Sequence, residues 1–258
     1  MGGCFIMRNK LIPLLLIGVM LLAAGCQTSK KPLEQAKKPE QMSNSTTAKY
    51  PAEVRNWLNN MKPYLVAGVV EEDNKTYLLV SGGEQRTGGH EVKITGVNND
   101  GNQLTVHVNM TKPDGPAAQV ISYPYAVHVL GQEIGDNKKV VFINSANNER
   151  IPQVIGEQPT EPFLDGSNSI KIIEMELDKN EIDVEGIARV DNPAIHYRFT
   201  NGEGKTLSEG KVTAAATAPD WGSFELDDVK RPQGATHIEF YWVDAKDQSQ
   251  RDKVRIAL

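Results

Sequence analysis

Short segments in which apolar and polar residues alternate constrain the fold of this chain more than any other feature. From residue 170 onward the sequence contains seven of them, namely IKIIEMEL, EIDVEGIARV, AIHYRFTN, TLSEGKVTAA, SFELDDV, THIEFYWVDA and KVRIAL. Alternation with a period of two sends successive side chains to opposite faces of a β-strand, so Ile195, Tyr197 and Phe199 share one face. Seven strands separated by turn residues predict a two-layer β-sandwich over residues 169–258.

A second β-rich unit is predicted over residues 49–155. It opens with PAEVRNWLNNMK, where Val54, Trp57, Leu58 and Met61 recur at helical spacing and predict one amphipathic helix with Trp57 as a packing anchor. Strand-like segments follow, namely YLVAGVV, TYLLVSGG, HEVKITGV, QLTVHVNM, QVISYPYAVHVL and KKVVFIN. The EEDNK and NNDGN turns predict hairpins. We therefore expect a small, mainly antiparallel sheet with one helix against it, joined to the sandwich by a Pro- and Gly-rich linker at residues 156–168.

The stretch VSGGEQRTGGHEVKI, residues 80–94, admits two interpretations. Gly83 and Gly88 have the spacing of a phosphate-binding loop, but Gly89 and His90 stand where that motif requires lysine and a hydroxyl residue, and a strand follows instead of a helix. We therefore expect Gly82, Gly83, Gly88 and Gly89 to supply positive φ angles at a tight strand-to-strand corner. Arg86 and Thr87 at its tip form a candidate interaction loop, although a solvated charge remains the simpler interpretation of Arg86.

The first unit also resembles a known family. Its segments YLLVSGGEQRTGGHEVKITGV, QLTVHVNMTKPDG and SYPYAVHVL are similar to the PrcB-like C-terminal domain, a protease-complex stabilising family. The resemblance spans residues 63–130 and is carried by Gly83, Thr87, Gly88, Gly89, Val92, Ile94, Pro113 and Pro124. It implies support of a surface protease complex by a domain that is not itself a protease, and it transfers no catalytic residue.

The second unit resembles the immunoglobulin-like domain of bacterial spore-germination proteins. The resemblance covers residues 168–258 and is carried by VEGIARV, IHYRFTNGEGKTLSEGKV and DWGSFELD, above all by Trp221, Gly222 and Phe224. It implies an immunoglobulin-like sandwich in a cell-envelope setting. The expected fold class is therefore mainly β, a small α+β antiparallel-sheet domain followed by an immunoglobulin-like β-sandwich.

The N-terminal segment has the parts of an export signal. Arg8 and Lys10 precede an apolar run from Leu11 to Leu22, and LLAAGC then places small residues before Cys26. The pattern resembles the lipobox of bacterial lipoproteins, which implies a signal peptide over residues 1–26, a diacylated Cys26 and attachment to the extracytoplasmic face of the cell membrane. An ordinary cleaved signal, or an uncleaved anchor, remains open. Residues 27–48 have almost no large apolar side chains and predict a disordered tether.

The sequence offers no recognisable catalytic chemistry. The two cysteines, Cys4 and Cys26, both precede the folded units, and the five histidines (His90, His107, His128, His196 and His237) lack metal-binding spacing. No nucleophile-elbow motif occurs, and the net charge of -5 without a basic cluster argues against nucleic acid as a partner. We therefore expect no catalytic residue, no cofactor and no metal.

These observations favour a non-enzymatic, lipid-anchored envelope protein that binds or stabilises another protein. Its partner would be an unidentified envelope protein, such as a protease or a germination complex, and its setting sporulation or spore germination. The alternative is a solute- or cell-wall-glycan-binding lipoprotein, for which Trp221, Tyr241 and Trp242 would provide a stacking surface unless they are packed in the core. An envelope hydrolase ranks last.

Overall fold

The computed structural model describes residues 47–135 and 138–258. The predicted signal peptide, Cys26 and the predicted tether up to residue 46 lie outside the described residues. One turn of 3-10 helix at Thr47–Lys49 includes the last two residues of that tether, and it precedes α1, Ala52–Met61, which is the single α-helix among the described residues. The strands are β1 Leu65–Glu72, β2 Lys75–Gly82, β3 Glu91–Asn99, β4 Gln103–Thr111, β5 Tyr125–Leu130, β6 Lys139–Asn144, β7 Val154–Ile155, β8 Asp165–Gly166, β9 Ile170–Asp178, β10 Glu181–Ala188, β11 Ala194–Thr200, β12 Thr206–Thr213, β13 Trp221–Lys230, β14 His237–Val243 and β15 Gln250–Ala257.

Helix α1 buries the face that its sequence predicts. Val54, Trp57, Leu58 and Met61 are all buried, and Trp57 is fully enclosed. Pro51 stands at the N-cap position, where its missing N–H costs nothing. No helix in residues 47–135 and 138–258 is long and apolar enough to cross a bilayer.

The first half contains two three-stranded sheets, where one was expected. One sheet has the order β1-β2-β5 and is antiparallel, and the other has the order β3-β4-β6, with β4 and β6 parallel. Strand β2 explains the difference, because Tyr77, Leu78, Leu79 and Val80 are buried in succession and so both of its faces need cover. Tyr77 and Leu79 pack with α1, whereas Leu78 and Val80 pack with residues of β3, β4 and β6.

Both predicted hairpins are present. Asp73 and Asn74, with φ of 54° and 57°, turn the chain between β1 and β2. This pair of left-handed residues is the turn that matches the natural twist of two antiparallel strands. Gly101, with φ of 74°, is the left-handed residue in the turn between β3 and β4.

The second half is the predicted sandwich, with all seven expected strands. One layer has the order β7-β13-β10-β9-β8, and the other has the order β12-β11-β14-β15. Ile195 and Phe199 are fully buried in the core between the layers, and Tyr197 packs against the same core. The mainly β fold class, with an immunoglobulin-like sandwich after a small α+β part, is confirmed.

Strand β7 joins the two halves. Val154 and Ile155 pair in parallel with Trp221 and Gly222 at the start of β13, and the preceding Gln153 bridges to Ala67 of β1. The β1 sheet and the β13 sheet are thereby connected through one short strand. All the described residues accordingly belong to one compact unit.

The predicted linker, residues 156–168, contacts both halves. The Trp57 indole Nε1 donates a hydrogen bond to Gln158 Oε1 at 3.0 Å, and the Leu164 N–H donates to the Ile172 carbonyl at 2.8 Å. Strand β8 lies within this segment and pairs with β9. The segment is therefore a fixed connection, while its exact limits as a domain boundary stay a prediction.

Candidate interaction surface

The glycine-rich connection between β2 and β3 passes from one sheet to the other and does not form the tight corner between paired strands that we expected. Gly83 and Gly89 have left-handed φ angles of 72° and 81°, as predicted, but Gly82 and Gly88 do not. Gly82 instead allows a close approach, since a Cβ there would lie 2.7 Å from Val92 Cγ2. The sequence pattern identified the glycines correctly and misassigned the role of two of them.

This connection is held by a second loop. The backbones of Gln85 and Ser122 exchange two hydrogen bonds of 2.9 Å, and the Gly88 N–H donates to the Ala118 carbonyl at 2.9 Å. The Ser122 hydroxyl also donates to the Thr87 carbonyl at 2.8 Å. Residues 83–90 and 112–124 together form what we call the paired-loop surface.

The two predicted contact residues have different environments on this surface. The Arg86 side chain is exposed and forms no ion pair with any described residue. Thr87 is half-buried, and its hydroxyl lies 3.0 Å from His90 Nε2. Arg86 is therefore available to a partner, whereas Thr87 supports the loop from within, and their role in binding stays a prediction.

Two exposed apolar residues on the paired-loop surface were not recognised from the sequence as surface residues. Val120 and Ile121 are 55% and 62% exposed. The pattern QVISYPYAVHVL predicted a strand from residue 119, but β5 begins only at Tyr125, after Pro124. Proline lacks the N–H that a strand interior needs, and the bridge of Ser122 to Gln85 draws the preceding residues away from the sheet. The prolines on both sides of Val120 and Ile121 were the sequence signal that could have predicted that these two residues lie outside a strand.

No constellation for metal binding occurs in the described part of the chain. Within residues 47–135 and 138–258, no group of three or more His, Cys, Asp or Glu side chains could hold a metal ion.

Two histidines have distinct surroundings. His196 stacks on Tyr241 with ring centroids 5.4 Å apart, and burial lowers the pKa of His128. A depression in the sandwich is lined by residues 179–181 and 230–234, none of which is aromatic.

The aromatic residues considered for a stacking surface do not lie together. Trp221 is fully buried in β13, in the same cluster as Trp57, and Tyr241 is buried in β14 of the other layer. Trp242 is half-buried and packs against the sandwich core. Neighbouring residues of one strand face opposite ways, so Tyr241 and Trp242 cannot share a face.

Charges are distributed unevenly over the two sandwich layers. Glu185 of β10 stands directly opposite Glu174 of β9 and Glu225 of β13. Burial raises the pKa of Glu185, and repulsion from Glu174 adds to this effect. On the other layer burial acts to raise the pKa of Glu239, but a hydrogen bond from Arg198 and nearby cations outweigh it, and the pKa lies below its usual value.

Comparisons with known proteins agree with the resemblances of the two domains. Residues 76–130 match the family model described as PrcB C-terminal, and residues 174–249 match the model described as the immunoglobulin-like domain of bacterial spore germination. An uncharacterized protein of Methanocaldococcus jannaschii is 35% identical over 54 residues, which are 21% of this chain. The chain spans about a third of the length of that curated relative, at 33%. Neither of the two domain families is a known enzyme family. Residues 76–130, which include most of β2 and all of β3, β4 and β5, are thus similar to a PrcB C-terminal domain, and residues 174–249 of the sandwich are similar to an immunoglobulin-like domain of the bacterial spore-germination type.

Proposed function

We propose that this chain is a non-enzymatic, lipid-anchored protein of the bacterial cell envelope that binds and stabilises a protein complex in sporulation or spore germination. The observation that supports it most is the paired-loop surface, which displays Arg86, Val120 and Ile121 from a rigid base. A PrcB C-terminal domain and an immunoglobulin-like domain both fit a protein-interaction role.

The composition of this surface favours a protein partner. Two adjacent, largely exposed aliphatic side chains gain free energy when a partner covers them, at about 25 cal/mol per Å² of apolar area. Arginine is enriched at protein interfaces because its guanidinium donates several hydrogen bonds in a fixed geometry. The hydrogen bonds between the two loops reduce the entropy that binding must overcome.

Attachment through Cys26 would add a concentration effect to this binding. Two acyl chains are enough for stable attachment to a membrane. An anchored surface meets envelope neighbours at a high effective concentration, so even a weak binding site is occupied by its partner at the membrane. Labelled palmitate should enter the wild-type chain and not Cys26→Ala, and equal labelling of both would refute the anchor.

A site-specific crosslink tests the partner directly. We expect a photoreactive residue at position 121 of the full-length chain to capture a protein in sporulating or germinating cells. The same residue at Lys246, an exposed position in the β14–β15 turn, is the matched control. Equal products from both positions would contradict the proposal.

Substitutions on the paired-loop surface sharpen this test. With the photoreactive residue kept at position 121, Val120→Asp and Arg86→Glu should each reduce capture by about tenfold or more, the cost of losing a central interface contact. Thr87→Ser retains the hydroxyl beside His90 and should leave capture unchanged. Enrichment of the chain on purified cell-wall glycan, undiminished in Ile121→Asp, would favour the glycan-binding alternative instead.

A further inference from the structure

Strand β12 presents an unpaired edge in the second sandwich layer. It pairs with β11 and with no other described strand, and it lies at the end of the order β12-β11-β14-β15. Its residues from Ser208 to Thr213 keep an uninterrupted antiparallel register with β11. They contain no proline, and the irregularity of this pair lies at Phe199 and Thr200, opposite the start of β12. A regular, uncovered edge of this kind can accept another strand.

The hydrogen-bond pattern identifies which residues face that edge. The Ala214 N–H donates to the Pro193 carbonyl at 2.8 Å, which extends the β11–β12 ladder by one hydrogen-bonded pair. Such pairs alternate in an antiparallel ladder, so Val212 and Gly210 also point their backbone groups toward β11. Glu209 and Lys211 therefore point their N–H and carbonyl groups outward, and both side chains are exposed.

Charges across this layer alternate up to the same edge. The paired positions run from Arg255 of β15 through Glu239 of β14 and Arg198 of β11 to Glu209 of β12. Glu239 contacts both arginines, with Arg198 Nη2 at 2.7 Å and Arg255 Nε at 3.5 Å. The row is thus positive, negative, positive, negative, and the next position would be occupied favourably by a cation.

We propose that β12 pairs antiparallel with β12 of a second copy of this chain, about a two-fold axis at Gly210. This register places Glu209 opposite Lys211 of the other copy, twice by symmetry, and each pair exchanges two backbone hydrogen bonds. The alternating row of charge then continues across the junction. An axis at Glu209 or at Lys211 would instead place like charges opposite each other, so the charges favour the axis at Gly210 over these two neighbouring registers.

The proposed interface is small, because each copy contributes one strand edge and its flanking side chains. It belongs with weak, transient associations, which anchoring to a membrane surface would strengthen by confinement. The four-stranded layer would become an eight-stranded sheet shared by the two copies. The paired-loop surface lies in the other half of the chain and takes no part in the proposed strand pairing.

Charge reversal tests the pairing without changing buried residues. Sedimentation of the full-length chain from about 1 µM to about 1 mM should reveal a dimer in the wild type. Lys211→Glu and Glu209→Lys each convert both symmetric pairs into like charges, and each should weaken dimerisation by about tenfold or more. Lys205→Glu makes the same charge change in the neighbouring turn and should leave the dimer intact.

Mixing the two charge-reversal variants provides the most direct test of the proposed register. Neither Lys211→Glu nor Glu209→Lys should dimerise alone, but an equal mixture should form a heterodimer, because every cross-pair is then opposite in charge. Amide exchange at Glu209 and Lys211 should also slow as the wild-type concentration rises. A monomer throughout the concentration range, a dimer insensitive to both reversals, or a mixture that stays monomeric would each refute the proposal.

Discussion

Replacing Trp221 with alanine should destabilise both halves of the protein together. Trp221 belongs to the sandwich strand β13, yet it is fully buried in a cluster that also contains residues of α1, β1 and β2. Its ring packs edge-on against Tyr64 with centroids 4.9 Å apart, and the Arg189 guanidinium lies 5.1 Å from its centre. Trp221 is therefore the largest buried side chain that the sandwich contributes to this cluster.

The structure limits the size of the effect. Truncating a buried tryptophan to alanine costs about 3–5 kcal/mol. The Trp221 indole N–H, however, is buried and has no acceptor among the described residues, and leaving such a group unpaired costs about 1–3 kcal/mol. Removing it recovers part of the loss, so we expect a net decrease of about 2–3 kcal/mol in the free energy of unfolding. Trp221→Phe keeps a ring and removes the N–H, and should cost less than about 1 kcal/mol.

Urea unfolding combined with amide exchange measures both magnitude and coupling. Peptides from β2 and from β11 report on the two halves, and in Trp221→Ala both should lose protection by the same amount in one transition. Phe142→Ala, within the first half alone, is a control for an ordinary core cavity. If β11 kept its protection while β2 lost it, or if two separate transitions appeared, the two halves would not be coupled through this cluster.

Three further changes test other parts of the structure. Asp220→Asn should cost about 1–2 kcal/mol in urea unfolding, because it weakens the paired contact with Arg150, whose side chain is 43% exposed, while the hydrogen bond from the Gln153 N–H is retained. Glu185→Gln should stabilise the protein at pH 7 by about 0.2–1 kcal/mol by relieving repulsion across the strands, and thermal unfolding should show this gain vanish as pH falls through the raised pKa and Glu185 itself becomes neutral. Gly83→Ala should lower the free energy of unfolding by about 1–2 kcal/mol, as measured by thermal unfolding, because residue 83 has a φ of 72° and its new Cβ would lie 3.0 Å from the Leu65 nitrogen.

Local patterns predicted most of the elements correctly. The helical spacing of Val54, Trp57, Leu58 and Met61 gave the buried face of α1, and alternation gave the seven sandwich strands. These patterns succeed because the period of buried side chains follows directly from backbone geometry. The left-handed residues of the β1–β2 and β3–β4 hairpins were predictable for the same reason, since turn residues act locally.

Contacts between distant segments were not predictable in this way. Strand β7 has only two residues, too few for any period, and it exists because β13 offers a partner 67 residues later along the chain. The exposure of Val120 and Ile121 likewise depends on the pairing of Ser122 with Gln85. An apolar residue carries the same sequence signal whether a strand buries it or a loop displays it.

The sequence by itself determined the mainly β class, the order of the two domains and the family to which each is similar, because periodicity, turn residues and local motifs are written in consecutive residues. Tertiary structure alone decided that the first half has two sheets, that β7 and Trp221 join both halves into one compact unit, and that Arg86, Val120 and Ile121 share one surface. Each of these outcomes depends on which distant backbone satisfies a free hydrogen-bonding edge or covers an apolar face, and that choice is made only when the whole chain packs.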